Sequence, residues 1–201
     1  MIAIIDYDAG NLKSVEKALL HIGEEALITR DVDQLLKADK VILPGVGHFG
    51  DAMAKLHHYQ LVEVIKDIII KKTPFLGICL GMQVLFESSE EAGGVEGLSI
   101  LKGDILRIPD AQGVKIPHMG WNSLTIKEDA KLYQGIEEQA YVYFVHSYYL
   151  KANDPKDVAA TTHYSTLIDA SVERDNVFGC QFHPEKSGEI GLRILKNFAC
   201  L

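Results

Sequence analysis

Cysteine is scarce in this chain of 201 residues: there are three, at 79, 180 and 200, far apart and odd in number. No C-x-x-C pair occurs, so neither a disulfide framework nor a zinc site is indicated, and no metal and no cofactor is expected. Basic charge is also in deficit. Twenty Lys and Arg stand against 28 Asp and Glu, a formal charge of −8. That balance argues against a general nucleic-acid surface, though not against a local basic patch. Long apolar runs are missing. The longest, around Ile68–Ile70, is hemmed in by Lys66, Asp67, Lys71 and Lys72, so no membrane span is expected. Met1 to Gly10 carries Asp6 and Asp8 and no basic stretch, so a signal peptide is not expected either. Repeats and low-complexity tracts are absent. What remains is 47% hydrophobic, enough for a substantial core, and the length suits one domain over residues 1–201.

Short apolar runs alternate with helical spacing in the first half. Ile2–Asp6, Ala26–Thr29, Val41–Leu43 and Phe75–Ile78 read as strands. Leu12, Val15, Leu19 and Ile22 recur as one helix face, with Asn11 as N-cap and Gly23 as the stop. Further helices are expected from about Phe49 and over Leu61–Ile70. From about Ile100 the pattern turns β-rich: Gly103–Ile108, Ser123–Ile126, Tyr141–Leu150, Val158–Thr162, Leu167–Glu173 and Val177–Phe182. Helical spacing returns at Ile190, Ile194, Leu195 and Phe198. The expectation is a single α/β domain with a mixed, mostly parallel central sheet flanked by helices, its later strands partly antiparallel.

Three segments carry chemistry. In Gly77-Ile78-Cys79-Leu80-Gly81 two glycines flank a cysteine between a strand and a helix, the nucleophile-elbow pattern with sulfur in place of oxygen. The N-terminus of the following helix would favour thiolate. A lone cysteine at a strand end packs as a small apolar residue, and the paired glycines shift the reading towards a nucleophile. Phe182-His183-Pro184-Glu185 follows another strand, offering an imidazole base and a carboxylate to fix its tautomer. In Pro44-Gly45-Val46-Gly47-His48, glycines after a strand free N–H groups for an oxyanion. A plain βα turn reads the same way, but no G-K-[ST] follows, which argues against a nucleotide loop.

Together, G-I-C-L-G-M-Q, F-H-P-E-K-S and P-G-V-G-H-F-G resemble the class I, triad-type glutamine amidotransferases. Ile5-Asp6-Tyr7, Gly10-Asn11-Leu12, His118-Met119-Gly120-Trp121-Asn122 and Phe144-Val145-His146-Ser147-Tyr148 narrow the resemblance. Within that superfamily the chain is similar to the glutaminase subunits of imidazole glycerol phosphate synthase, of the histidine pathway. The likeness runs from residue 2 to the C-terminus.

It implies glutamine as substrate and a triad of Cys79, His183 and Glu185. Oxyanion donors would lie at Gly45, Val46 and Leu80. The glutamine head group would be held by Gly47, Gln83, Glu91, His146, Ser147 and Tyr148. Glu91 would suit the α-ammonium, or be a solvated loop carboxylate. His146 would equally serve as a core histidine on a backbone carbonyl. The resemblance also implies a heterodimer with a (β/α)8-barrel cyclase that receives ammonia, contacted through Asn11, Met119, Trp121, Asn122, Tyr143 and Lys186. Trp121 at a contact and Trp121 as core filling are equally compatible with the sequence. A free catalytic thiol suits a reducing cytoplasm. Alternatives are another cysteine enzyme of the fold, a non-catalytic scaffold, or the same glutaminase serving a different acceptor such as a sugar-modifying synthetase.

Overall fold

The computed structural model describes residues 1–8 and 10–201. The first half alternates as read from sequence: β1 (Ile2–Ile5), α1 (Leu12–His21), β2 (Ala26–Thr29), α2 (Val32–Lys37), β3 (Lys40–Gly45), α3 (Phe49–His58), α4 (Leu61–Ile70), β4 (Phe75–Cys79) and α5 (Leu80–Gln83). Then come β5 (Ser88–Ser89), β6 (Gly103–Arg107), β7 (His118–Ser123), β8 (Thr125–Ile126), β9 (Tyr141–His146), β10 (Tyr148–Ala152), β11 (Val158–Tyr164), β12 (Thr166–Arg174), β13 (Val177–Cys180) and α6 (Gly188–Ala199).

The described residues build an eight-stranded sheet in the order β2-β1-β3-β4-β13-β12-β11-β8. Its first five strands are mutually parallel, and the other three pair antiparallel. Two small sheets, β10-β6-β5 and the ribbon β7-β9, stand apart from it. Side chains alternate across each parallel strand, so both faces need cover. Ala3, Ile5, Val41 and Leu43 pack with Leu35, Leu56, Leu61 and Ile65 of α2, α3 and α4. Ile2, Ile4 and Ile42 pack with Val15 and Leu19 of α1 and Ile194, Leu195 and Phe198 of α6.

Helix α1 stops where Gly23 adopts φ 83°. The Gly23 N–H bonds the Leu20 carbonyl and the Glu24 N–H that of Leu19, a Schellman ending that leaves few carbonyls unpaired. At its other end Asn11 holds the cap position but makes no side-chain cap bond.

Three expectations need correction. The run Tyr141–Leu150 is not one strand. It breaks at Ser147, because β9 pairs with β7 while β10 pairs with β6. Ser123–Ile126 likewise divides at the buried Leu124 between β7 and β8. The helix after Cys79 is a single turn of four residues, so little macrodipole acts on the sulfur.

The parallel strands place the chemistry. Strands β3 and β4 run side by side with β13 next to β4, all pointing the same way. Their C-terminal ends bring Gly45, Cys79 and the turn after Cys180 to one edge of the sheet, where open α/β sheets bind ligands.

Candidate active site

Cys79 ends β4 with φ 54° and ψ −113°, a backbone conformation that only surrounding structure can impose on a non-glycine residue. The glycines show how. A Cβ on Gly77 would lie 2.6 Å from the Gly81 carbonyl oxygen, and one on Gly179 would lie 2.5 Å from Cγ of Met82. Helix α5 therefore sits directly on β4 and β13, and the chain between must turn sharply at Cys79.

His183 lies three residues past β13 and opens a 3-10 turn over Pro184–Lys186. Its N–H donates to the Tyr143 carbonyl at 3.0 Å, and its own carbonyl accepts from the Ser187 hydroxyl at 2.7 Å. The ring is pinned by its Nδ1, 2.8 Å from Glu185 Oε1. Both side chains are buried, at 1% and 0% exposure. The same Oε1 accepts from Asn11 Nδ2. Asn11 thus spends its amide on Glu185 rather than on capping α1. Burial alone would depress the His183 imidazole. The nearby Cys79 and the bonded Glu185 carboxylate outweigh it and hold the ring at about 9. Nε2 has no hydrogen-bond partner of good geometry among the described residues. Apo catalytic contacts of this kind commonly tighten only with substrate.

A cavity of about 290 Å³ opens in front of the pair. Val46, Gly47, Leu80, Gln83, Glu91, Ser147 and Tyr148 line it with Cys79 and His183. Gly45 does not line it. It is the last residue of the β3 ladder, opposite Cys79, and the part of this segment that lines the cavity begins at Val46. Gly47, at φ 104°, has open space around its α-carbon. Glu91 is half-buried, not a solvated loop carboxylate. Its Oε2 accepts from the Phe49 N–H at 2.8 Å, and its carbonyl lies 3.0 Å from His48 Nε2. His48 in turn caps α3, its Nδ1 accepting from Gly50 N–H at 3.1 Å.

His146 reaches the cavity wall, but both its ring nitrogens are taken, by the Tyr148 carbonyl at 2.8 Å and by His118 Nδ1 at 2.9 Å. Its imidazole is a core group, and what this segment offers a ligand is Ser147 and Tyr148. Sequence reasoning passed over two residues here. Gln181, fully buried, places Nε2 3.7 Å from Cys79 Sγ. Pro117 also lines the cavity. Gln181 stood inside the F-G-C-Q-F-H-P-E run with no spacing to mark it; only the return of β13 beside β4 brings it to the sulfur.

On β7, Met119 and Trp121 are exposed at 66% and 55%. Trp121 therefore does not fill the core; it stands edge-on to Tyr143, ring centres 6.1 Å apart. Lys186 is exposed in the turn that carries Glu185. Asn122 turns inward, donating to the His163 carbonyl at 3.1 Å.

A thiol, an imidazole paired with a carboxylate, and the Val46–Gly47 backbone meet at one cavity, an arrangement suited to acyl transfer. The chain matches the profile of "Glutamine amidotransferase class-I" over residues 3–200. It superimposes on the structure of PurLQS from Thermotoga maritima with TM-score 0.74, covering 99% of this chain and 97% of the other at 21% identity, which shows the shared fold. It is 56% identical to imidazole glycerol phosphate synthase subunit HisH of Caldanaerobacter subterraneus, over 98% of this chain and 97% of the relative. With the HisH subunit of Methanocaldococcus jannaschii the identity is 50%, over 98% of each chain. The chain belongs to the class-I glutamine amidotransferases and, within them, to the HisH family.

Proposed function

We propose that this chain is the glutaminase subunit of an imidazole glycerol phosphate synthase, one domain over residues 1–201, that supplies ammonia to a cyclase in histidine biosynthesis. The observation that carries the reading is the buried His183–Glu185 pair beside a strained Cys79 at one cavity. Full-length identity of 50–56% with HisH subunits favours the histidine-pathway acceptor over a sugar-modifying one.

Cys79 Sγ, its proton already held on His183 Nε2, attacks the side-chain carboxamide carbon of glutamine. The oxyanion is met by N–H groups of Leu80 and of the Val46–Gly47 segment, each donor contributing about 3–4 kcal/mol. Collapse breaks the C–N bond as His183 returns the proton to nitrogen, releasing ammonia and leaving a glutamyl thioester. His183 then takes a proton from water, which attacks the thioester; glutamate departs and the thiol is restored. Glu185 keeps Nδ1 protonated, so that Nε2 is the nitrogen that takes and returns each proton. Glu91, with Oε2 held by Phe49 N–H, receives the substrate α-ammonium, and Gln83, Ser147 and Tyr148 complete the head-group site.

Ammonia released into water would be protonated and lost, so the partner must cover the mouth. Met119, Trp121, Tyr143 and Lys186 form that contact with a (β/α)8-barrel cyclase, in the cytoplasm, where the thiol stays reduced. No helix among the described residues is long and apolar enough to cross a membrane.

The test is glutamate release by the purified chain, alone and with the cyclase and its nucleotide ligand. Slow release alone, strong stimulation in the complex, and a change in Trp121 fluorescence on mixing are expected. Full turnover by the isolated chain, unchanged by partner and ligand, would refute control of the site by the partner. Absence of any glutaminase activity in the complex would refute the assignment itself.

A further inference from the structure

We propose that Gln181 is a positioning residue for the nucleophile: its side-chain amide donates to Cys79 Sγ and is itself held in one orientation by a buried chain of hydrogen bonds. The proposal rests on the reading of Cys79 as the attacking group.

The orientation follows from the partners. The Tyr148 carbonyl can only accept, so the group of Gln83 that lies 3.0 Å from it is the NH2. The second hydrogen of that NH2 points to Gln181, 2.9 Å away, which must present its oxygen. That leaves the Gln181 NH2 facing the sulfur at 3.7 Å. Reversing either amide would set two oxygens or two NH2 groups against each other, so the assignment needs no visible hydrogen atoms.

The same carbonyl anchors a second arm. His146 Nδ1 lies 2.8 Å from the Tyr148 oxygen and must carry the proton. Its Nε2 then accepts from His118 Nδ1 at 2.9 Å, and His118 Nε2 faces Asn122 Nδ2 at 3.4 Å. His118 is stacked between Tyr164 and Phe144, ring centres 3.9 and 4.7 Å away. Burial holds both rings neutral, at about 4 for His118 and about 3 for His146. The Tyr148 carbonyl thereby fills both its acceptor positions with fixed donors and cannot turn away. Gln83, and through it Gln181, inherit that rigidity.

A donor on sulfur favours thiolate over thiol, because a hydrogen bond to the charged form lowers the cost of ionising it. Several other groups face Cys79. Tyr7 stands beyond β1, Cys180 on β13, and His183 with Glu185 on the turn after it, while Glu91 and Tyr148 lie on the cavity wall. Of this set His183 changes charge during turnover. Gln181 does not titrate, so its contact holds the sulfur whether the imidazole is charged or neutral. Gln181 is fully buried, so water cannot take the place of its amide without entering the core.

The test compares Gln181→Met, of similar length without a donor, with the parent in a Cys200→Ser background, as the complex with the cyclase. Alkylation of Cys79 by iodoacetamide is followed against pH, and kcat and KM for glutamine are measured alongside. The apparent thiol pKa should rise by about one unit. The kcat should fall about 10–100-fold with KM changed less than about threefold, and ammonium-driven synthesis should persist. Gln181→Glu should regain part of the loss as pH falls, because a protonated carboxyl donates again. Should Gln181→Met not fold, Gln181→Asn withdraws the amide by one methylene and reads the same contact. An alkylation profile and kcat matching the parent would overturn the proposal, as would a rise in KM at unchanged kcat. Full glutaminase activity after stoichiometric alkylation of parent Cys79 would instead overturn the nucleophile assignment on which it stands.

Discussion

Gly45 and Cys79 face each other as the last paired residues of two adjacent parallel strands. Cys79 and the segment proposed to supply oxyanion donors therefore leave the sheet at one level. Just beyond that pair Val46 packs closely on Gly10, where a Cβ would come within 2.9 Å of Val46 Cγ2.

The first prediction concerns the elbow. Cys79 holds φ 54°, costing about 1–3 kcal/mol in a residue with a Cβ. Cys79→Ala and Cys79→Gly should both abolish glutamine-dependent synthesis while ammonium-driven synthesis survives. Cys79→Gly should nonetheless be the more thermostable of the two, the reverse of the usual order. A lower Tm for Cys79→Gly than for Cys79→Ala would mean the turn is unstrained.

Gly47 separates folding from catalysis. At φ 104° it has no neighbour that a methyl group would strike, so Gly47→Ala should fold with a stability loss of about 1–3 kcal/mol. If the segment must reorient to present an N–H, glutaminase turnover should drop by roughly 10²–10³. Unchanged turnover in the complex, measured as glutamate release, would show that the segment does not reorient at Gly47.

The triad carries a pH signature. His183 sits at about 9, above its ordinary 6.5, because the nearby Cys79 and its bond to Glu185 outweigh the effect of burial. Glu185→Gln removes one raising charge, so the high-pH limb of the kcat/KM profile should move to lower pH. The stability that charged His183 contributes is complete below 6.5 and is lost as pH rises through about 9; in Glu185→Gln that loss should begin earlier. His183→Ala should lower kcat by about 10²–10⁴, and Glu185→Gln by less. A superimposable profile for Glu185→Gln would contradict the pairing.

The neutral histidine pair predicts acid sensitivity. His118 and His146 are depressed by burial to about 4 and about 3. Their contribution is present above 6.5 and declines as pH falls towards those values, because the unfolded chain binds protons first. His118→Phe keeps the stack between Phe144 and Tyr164 but leaves His146 Nε2 unpaired, costing about 1–3 kcal/mol at neutral pH. Its urea midpoint should start lower and fall less between neutral and mildly acid pH. Parallel midpoint curves for parent and variant would show that the pair does not titrate.

Much of this was legible along the chain. Alternation of buried runs with helical spacing marked the parallel half, because strands covered on both faces must be apolar at every position. The elbow was legible because a sharp strand-to-helix turn admits only small flanking residues, as the close approach of Gly77 to Gly81 bears out. The β-rich half was read less well. Tyr141–Leu150 has unbroken strand character, and nothing local says that β9 and β10 join different sheets at Ser147.

The residue types of the triad, the glycines around Cys79 and Gly47, and the covered parallel sheet were determined by the sequence itself, since each rests on local backbone geometry or hydrophobic period. Tertiary structure alone decided what those residues face. It turned Asn11 from a helix cap to Glu185, kept Gly45 in the ladder, withdrew the His146 ring into a buried pair and carried Gln181 to the sulfur. Those contacts join positions up to 174 residues apart. They exist because strand order puts β13 beside β4 and the start of α1 beside the last turn, a pairing that no local spacing encodes.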